Sequence, residues 1–324
     1  MSSIEVIGLG ALNIDHIYQV ERILDDGEAV VQGGGLFPGG SAANTIYGLA
    51  KLGIKTGFAG VVGDDADGRL LIQDFRSVGV DISQIRIKKE AKTGSTLCLS
   101  DSSGRRSIYV IPAANNLLNE EDINLTYIEQ ASLLHISSFA DNRQLQILLD
   151  LTSELTPSVK VSFSPGELYA TKGLKTLVPI LRKTNILFTN EVEIEILTGK
   201  DFIAGAEVCL EQGCQIVVVT LGKGKVLNSH KRTNAICYIR DTNNEYLVEP
   251  IVISKTPAVD TTGAGDAFAT GFLYGLLKRR SLEECGQLGD IMARFSIRET
   301  GARAGLPTLT ELAEHYRGLY KERL

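Results

Sequence analysis

Near the C-terminal end, the run Asp260-Thr-Thr-Gly-Ala-Gly-Asp-Ala-Phe268 sets a carboxylate, Asp266, just ahead of an apolar helical stretch. A helix that starts near Gly263 leaves the N–H groups of Gly263, Ala264 and Gly265 without intrahelical acceptors, aimed at one point and backed by the positive end of the helix dipole. Such amides form an anion hole. They suit phosphoryl transfer, because they neutralise charge developing on the moving phosphate without reorganising. About one turn in, Asp266 would stand beside that hole and could accept a proton from a hydroxyl attacking the phosphate. The plainer reading makes Asp266 a first-turn carboxylate favoured by the dipole, worth roughly 0.3–1 kcal/mol. A helix start does not require Gly-Ala-Gly, however, since glycine costs about 1 kcal/mol against alanine within a helix.

Three other segments could do chemistry. In Phe37-Pro-Gly-Gly-Ser-Ala-Ala-Asn44, Gly39 and Gly40 let backbone approach a ligand closely, and Asn44 offers both a donor and an acceptor, a surface suited to a polyhydroxy compound. The alternative is a Gly-rich turn into a helix expected over 45–52 and closed by Gly53. In Thr189-Asn-Glu-Val-Glu193, Asn190 and Glu193 share a helical face and could hold a hydrated Mg²⁺ or a phosphate through water; a capping box accounts for the spacing equally well. Thr220-Leu-Gly-Lys-Gly224 reads as a strand tip at Thr220 followed by a loop whose Gly222 and Gly224 let amides meet a phosphate or ribose. Two common nucleotide motifs are missing. Gly8-Leu-Gly-Ala-Leu-Asn13 lacks the third glycine of a dinucleotide loop, and Gly222-Lys-Gly-Lys225 lacks P-loop spacing.

The elements that must position these residues follow from periodicity. Short β-rich runs at 4–9, 57–62, 133–136, 159–163, 186–189 and 216–221 are each followed by an amphipathic segment, as in βαβ units around a mostly parallel sheet. Several end in polar residues, among them Ser137, Ser164, Asn190 and Thr220, and ligands of open α/β sheets bind beyond those strand ends. Runs at 93–100 and 105–111 alternate on both sides of the turn Asp101-Ser-Ser-Gly104. With 16–20 and 29–32 they are expected to make a small separate β-sheet that covers a ligand or pairs with a second subunit. Arg105 and Arg106 could neutralise phosphate, but side chains at a hairpin tip are more often solvated, and they are left out of the expected site.

With 324 residues, 44% of them hydrophobic, the chain can bury a full core, and its longest apolar runs are strand-sized. A net charge of −6 argues against a general nucleic-acid surface. The five cysteines are scattered without metal-site spacing. The start of the sequence carries no secretory pattern, so a cytoplasmic home is expected.

Together these segments resemble the ribokinase or PfkB family of carbohydrate and nucleoside kinases, in both signatures (Gly39-Gly40…Asn44 and DTTGAGDAF), in Asn190-x-x-Glu193 and in Thr220-Leu-Gly-Lys-Gly224, all in order. The resemblance implies a three-layer α/β/α sandwich with a mostly parallel sheet and a small β-sheet lid from about 15–35 and 93–112, in one kinase domain over 1–324. It implies Asp266 as catalytic base and Gly263, Ala264 and Gly265 as the anion hole. Asn13, Asp15, Gly39, Gly40 and Asn44 would bind the acceptor. Asn190, Thr220, Gly222 and Gly224 would bind ATP, and Glu193 would hold Mg²⁺ through water. Asp260 and Thr262, with the segment Ile297-Arg-Glu-Thr-Gly-Ala302, would allow a K⁺ ion. Ile46 and Thr270 depart from the signatures and should face helix packing; Asp290 stands where many relatives carry Asn near the adenine. The expected acceptor is a small sugar, with a nucleoside as alternative and a phosphosugar ranked lower. A homodimer joined through the lid is expected, with no nucleic acid and no membrane. Outside kinases, the rivals are a NAD-dependent dehydrogenase and a non-catalytic sugar or nucleotide sensor.

Overall fold

The computed structural model describes residues 4–101, 105–227, 233–250, 258–321 and 324. Among these described residues thirteen strands are formed: β1 (Val6–Leu9), β2 (Asn13–Val20), β3 (Val31–Gly39), β4 (Thr56–Gly63), β5 (Asp81–Lys88), β6 (Gly94–Asp101), β7 (Arg106–Ile111), β8 (Leu133–Ser137), β9 (Lys160–Ser164), β10 (Ile186–Asn190), β11 (Ile216–Leu227), β12 (Thr233–Asp241) and β13 (Glu245–Val248). Nine make one sheet in the order β13-β12-β11-β10-β9-β8-β1-β4-β5. Every neighbouring pair from β11 to β5 is parallel, while β12 and β13 close the β11 edge antiparallel.

Strand alternation explains the layering. Val217 and Val219 point into one apolar cluster and Val218 into the other; Ile7 and Leu9 oppose Val6 in the same way. A sheet apolar on both faces must be covered on both. One face is covered by helices that include Ser41–Lys51, Ala264–Leu277 and Leu282–Ser296, the other by Asn142–Glu154, Leu174–Leu181 and Phe202–Glu211, among others. This is the expected three-layer sandwich. Ile46 and Thr270 lie fully buried where the first two helices pack, and a Cβ at Gly48 would come 2.8 Å from Thr270 Oγ1.

The remaining strands form a separate sheet, β3-β2-β6-β7, in which only β2 and β6 run parallel. Of the turn expected at 101–104, residues 102–104 lie outside the described residues; across it the backbone N–H of Arg105 donates to Asp101 Oδ1, 3.1 Å. Cross-strand register gives this sheet two distinct faces. Leu36, His16, Leu97 and Tyr109 make one row on the outer face, while Phe37, Asp15, Thr96 and Val110 make a row on the other.

Two boundaries differ from the sequence reading. The helix after Gly40 begins at Ser41, four residues before the expected start, because Gly40 as N-cap takes φ 95° and Asn44 N–H donates to Gly40 O, 2.8 Å. The strand expected to end at 221 continues to Leu227 as β11. Its register against β12 shifts between Thr220 and Lys225, a bulge that the positive φ of Gly222 and Gly224 permits.

Candidate active site

The carboxyl ends of β9 and β10, and β11 at Thr220 where its bulge begins, meet the N-terminus of helix Ala264–Leu277 in a cleft lined by Ser41, Ser164, Asn190, Glu193, Thr220 and Asp266, among others. Gly263 is the N-cap of that helix, in the left-handed region at φ 73°. The Ala264 N–H is engaged in a turn to Thr261 O, 3.3 Å, which corrects the expectation of three free amides. Gly263 and Gly265 donate to no backbone oxygen among the described residues.

Asp266 is held from both sides. Ser41 Oγ donates to its Oδ1, 2.7 Å, and Asn44 Nδ2 to its Oδ2, 2.8 Å. Burial raises its pKa above the usual carboxylate range; the bonds from Asn44 and Ser41 and the charges of Arg303 and Arg106 pull the other way. A carboxylate so placed is a stronger base than one in water.

The other polar cluster gathers under the inner face of the small sheet. Asn13, Asp15 and Asn44 are all buried, and Asp15 accepts from Thr96 Oγ1, 2.6 Å. Asn115 donates to Asn13 Oδ1, 2.9 Å, and exchanges bonds with the Leu12 backbone, which leaves the Asn13 amide N–H groups to face outward from that contact. Gly39 and Gly40 complete the wall, with a Cβ at Gly39 colliding with the Asp15 carboxyl. Burial raises the pKa of Asp15, which is 6% exposed, from 3.8 to about 6. Because folding raises this pKa, the group's contribution to stability is intact below about pH 4 and is lost as pH rises through about 6, some ~3 kcal/mol in all. Asp15→Asn is therefore expected to stabilise the unliganded protein by about 1–3 kcal/mol at neutral pH and by far less near pH 4. Urea unfolding at the two pH values measures this; a variant less stable than the parent at neutral pH would contradict it.

On the strand-end side, Asn190 and Glu193 form a capping box: Asn190 Oδ1 accepts from Glu193 N–H, 2.8 Å, and Glu193 Oε2 from Asn190 N–H, 3.0 Å. Glu193 Oε1 is left for other partners in the cleft. Burial first, and the Asp266 charge as well, raise the Glu193 pKa. Two carboxylates that disfavour each other's ionisation in one cleft are the donor chemistry that fits a divalent cation. No cluster of three or more metal-binding side chains occurs among the described residues, so any such ion would draw further ligands from phosphate and water. Thr220 Oγ1 reaches Thr189 O at 3.5 Å, and Gly222 has open space where a side chain would stand. Asp260 Oδ1 accepts from Thr262 N–H and Oγ1, and its Oδ2 from Gly301 N–H, 2.9 Å, so Asp260 ties the signature turn to the 297–302 segment. Asp290 is buried and paired with Arg294, 2.7 Å.

Residues 1–309 match the pfkB family of carbohydrate kinases, nearly the whole chain. The chain belongs to that family. It is 38% identical over 260 residues to an uncharacterized sugar kinase of Archaeoglobus fulgidus, covering 80% of this chain and 98% of the relative. To a nucleoside kinase of Methanocaldococcus jannaschii it is 26% identical, covering 97% and 96%. The structure of Arabidopsis thaliana ribokinase complexed with ribose and ATP superposes with a TM-score of 0.80 over 97% of this chain and 98% of that one, at 23% identity, a likeness of fold. This pfkB kinase is thus a phosphotransferase with an alcohol group as acceptor. No helix among the described residues is long and apolar enough to cross a membrane.

Four residues of the kinase cleft escape sequence reasoning. Ser41 stands inside the quoted Gly-Gly-Ser run but carried no signal apart from it. Arg303 follows the 297–302 segment directly; it donates through Nε to Asn44 Oδ1, 2.9 Å, and through Nη2 to Gly39 O, 2.9 Å. Asn115 sits in a 3₁₀ turn with no motif around it. Arg106, expected to be solvated, instead reaches from β7 to Thr261, with Nη1 3.1 Å from the carbonyl oxygen and 3.3 Å from Oγ1. Arg105 is held by Asp101.

Proposed function

We propose that this kinase transfers the γ-phosphate of ATP to a hydroxyl of a small sugar, with Asp266 as general base. One observation carries the reading: Asp266, gripped by Ser41 and Asn44, stands at the N-terminus of helix Ala264–Leu277 in the cleft that also holds Glu193 and Thr220. Asn13, Asp15, Gly39, Gly40 and Asn44 bind the acceptor, and the hydroxyl to be phosphorylated gives its proton to the Asp266 carboxylate as its oxygen attacks phosphorus in line. The Gly263 and Gly265 amides receive the charge that develops on the phosphoryl oxygens. Asn190, Thr220, Gly222 and Gly224 line the nucleotide side. Mg²⁺, held by Glu193 through water, would neutralise phosphate charge. A K⁺ ion at Asp260 and Thr262 remains part of the reading. The structure of Arabidopsis ribokinase with ribose and ATP supports the choice of donor and acceptor class.

The small sheet, here read as a lid over a single kinase domain, puts Asp15 and Thr96 on its inner face and excludes water from the acceptor when closed. Arg106 is the lid's contribution to the phosphate. Arg106→Ala is expected to lower kcat about 10²-fold with little change in the acceptor KM, as measured by steady-state kinetics; an unchanged kcat would return Arg106 to the solvent. The outer face exposes Leu36 and Tyr109, 54% and 58%, with Ile111 beside them, and this supports a homodimer joined through the lid. Tyr109→Glu is expected to run as a monomer in light scattering where the parent runs as a dimer. A parent that is itself monomeric would end that reading. A cytoplasmic setting accords with five buried, unpaired cysteines.

The Methanocaldococcus relative favours a second acceptor class, nucleosides. A phosphosugar ranks lower, because Arg303, the cation beside Asn44, is engaged by Asn44, Gly39 and Asp74. The deciding experiment assays ADP release from MgATP over a panel of sugars, nucleosides and phosphosugars, with and without K⁺. Turnover on a sugar supports the proposal, turnover on nucleosides alone selects the second class, and ligand-induced thermal shifts without turnover would mark a sensor.

A further inference from the structure

Arg303 is 5% exposed, and its guanidinium binds on every side: Nε to Asn44 Oδ1, Nη2 to Gly39 O, and Nη1 to Asp74 Oδ2, 2.5 Å. The rings of Tyr47 and Phe75 lie 5.2 Å from its central carbon. This is the most heavily partnered cation at the site, and none of its bonds is to a group that the proposed chemistry consumes.

Hydrogen-bond polarity gives the arrangement a direction. A guanidinium only donates and an ionised carboxylate only accepts, whereas an amide does either at its two ends. With Arg303 on one end of Asn44, the oxygen must face Arg303 and the NH₂ must face Asp266. The flipped amide would set an oxygen against the Asp266 carboxylate and an NH₂ against the guanidinium, losing both bonds. Asp74, 22% exposed at its side chain, anchors the far end and balances the charge.

We propose that Arg303 is a positioning residue that fixes the amide of Asn44, so that an N–H always points at the base Asp266, while its second arm holds the Gly39 carbonyl and with it the acceptor wall. The proposal rests on the reading of Asp266 as general base. It joins the base and the acceptor pocket through one rigid side chain, so that loss of its fork geometry displaces both reacting groups at once. The charged groups that face Asp266 are Arg303, Arg106, Glu193 and Asp15. Removing the Arg303 cation leaves the repulsion of Asp266 by Glu193 and Asp15 less compensated and moves the Asp266 titration to higher pH.

The test uses the full chain, MgATP and the acceptor found in the panel, in a double-mutant cycle of Arg303→Lys and Asn44→Ala, with Arg303→Met for the pH profile. Arg303→Lys keeps the charge beside Asp74 but not the planar fork, so it serves even where Arg303→Met fails to fold. The expected result is a fall in kcat of about tenfold to a hundredfold for Arg303→Lys, shrinking to about threefold in the Asn44→Ala background, where only the Gly39 arm is left to lose. In Arg303→Met the acid limb of kcat moves to higher pH. Equal losses in both backgrounds, or an Arg303→Lys enzyme with the parent kcat, would overturn the inference. Asp266→Asn is assayed alongside: an active Asp266→Asn enzyme sinks the base assignment, whereas an inactive one with additive Arg303 effects sinks only this proposal.

Discussion

Asp266→Asn is expected to lower kcat by about 10²–10⁴-fold, the range that a positioned general base supplies. The substitution keeps the shape of the side chain and can still accept from Ser41, but it cannot take a proton, and its NH₂ would stand against the Asn44 NH₂. Acceptor and nucleotide binding should change far less, because the acceptor pocket and the 190–224 strand ends keep their residues. Steady-state kinetics on a confirmed acceptor separates the two quantities, and a variant with most of the parent kcat would remove Asp266 from the chemistry. The parent's own pH profile adds a check. The base works only when ionised, and burial raises its pKa, so the acid limb of kcat should lie above the ordinary range of an aspartate.

Gly263→Ala should damage both stability and turnover. Gly263 holds φ 73°, where an alanine costs about 1–2 kcal/mol, and its new Cβ would strike Ala302 Cβ and approach Ala302 Cα to 2.8 Å. The helix start must then move away from the 297–302 segment and carry the Gly263 and Gly265 amides with it. We expect a loss of about 2–3 kcal/mol in stability and of about 10²–10³-fold in kcat. Gly265→Ala is the control. No atom lies within 4 Å of a Cβ there, so the fold should tolerate it while turnover suffers from the methyl group at the phosphate site. Thermal melts and kinetics on the pair distinguish an anion hole from a mere helix cap; equal turnover in Gly265→Ala and the parent would argue for the cap.

Much of this was legible in the sequence wherever the determining contacts are local. The helix start at 263–266, the Asn190–Glu193 box and the alternation of strands and helices depend on residues within a few positions of one another, which is the range over which caps and periodicity act. The start at Ser41 lies four residues ahead of the one the sequence predicts, since Ser-Ala-Ala shows no apolar period and Gly40 can as well end a turn as cap a helix. The bulge in β11 looks like a strand end in the sequence for a related reason: glycines mark a departure from regular backbone without saying whether the ladder resumes.

What the sequence by itself determined is the set of parts: a mostly parallel α/β core, a small second sheet, a carboxylate at a glycine-rich helix start and the family to which these belong. Only the tertiary structure decided which side chains surround that carboxylate. Ser41 meets Asp266 across 225 residues, Arg303 meets Asn44 across 259, and Arg106 meets Thr261 across 155. The first joins two helices of one layer, and the last joins the small sheet to the start of one of them, all far apart in sequence. Their geometry is set by how the two sheets and the helices pack, and no local propensity encodes that packing one residue at a time.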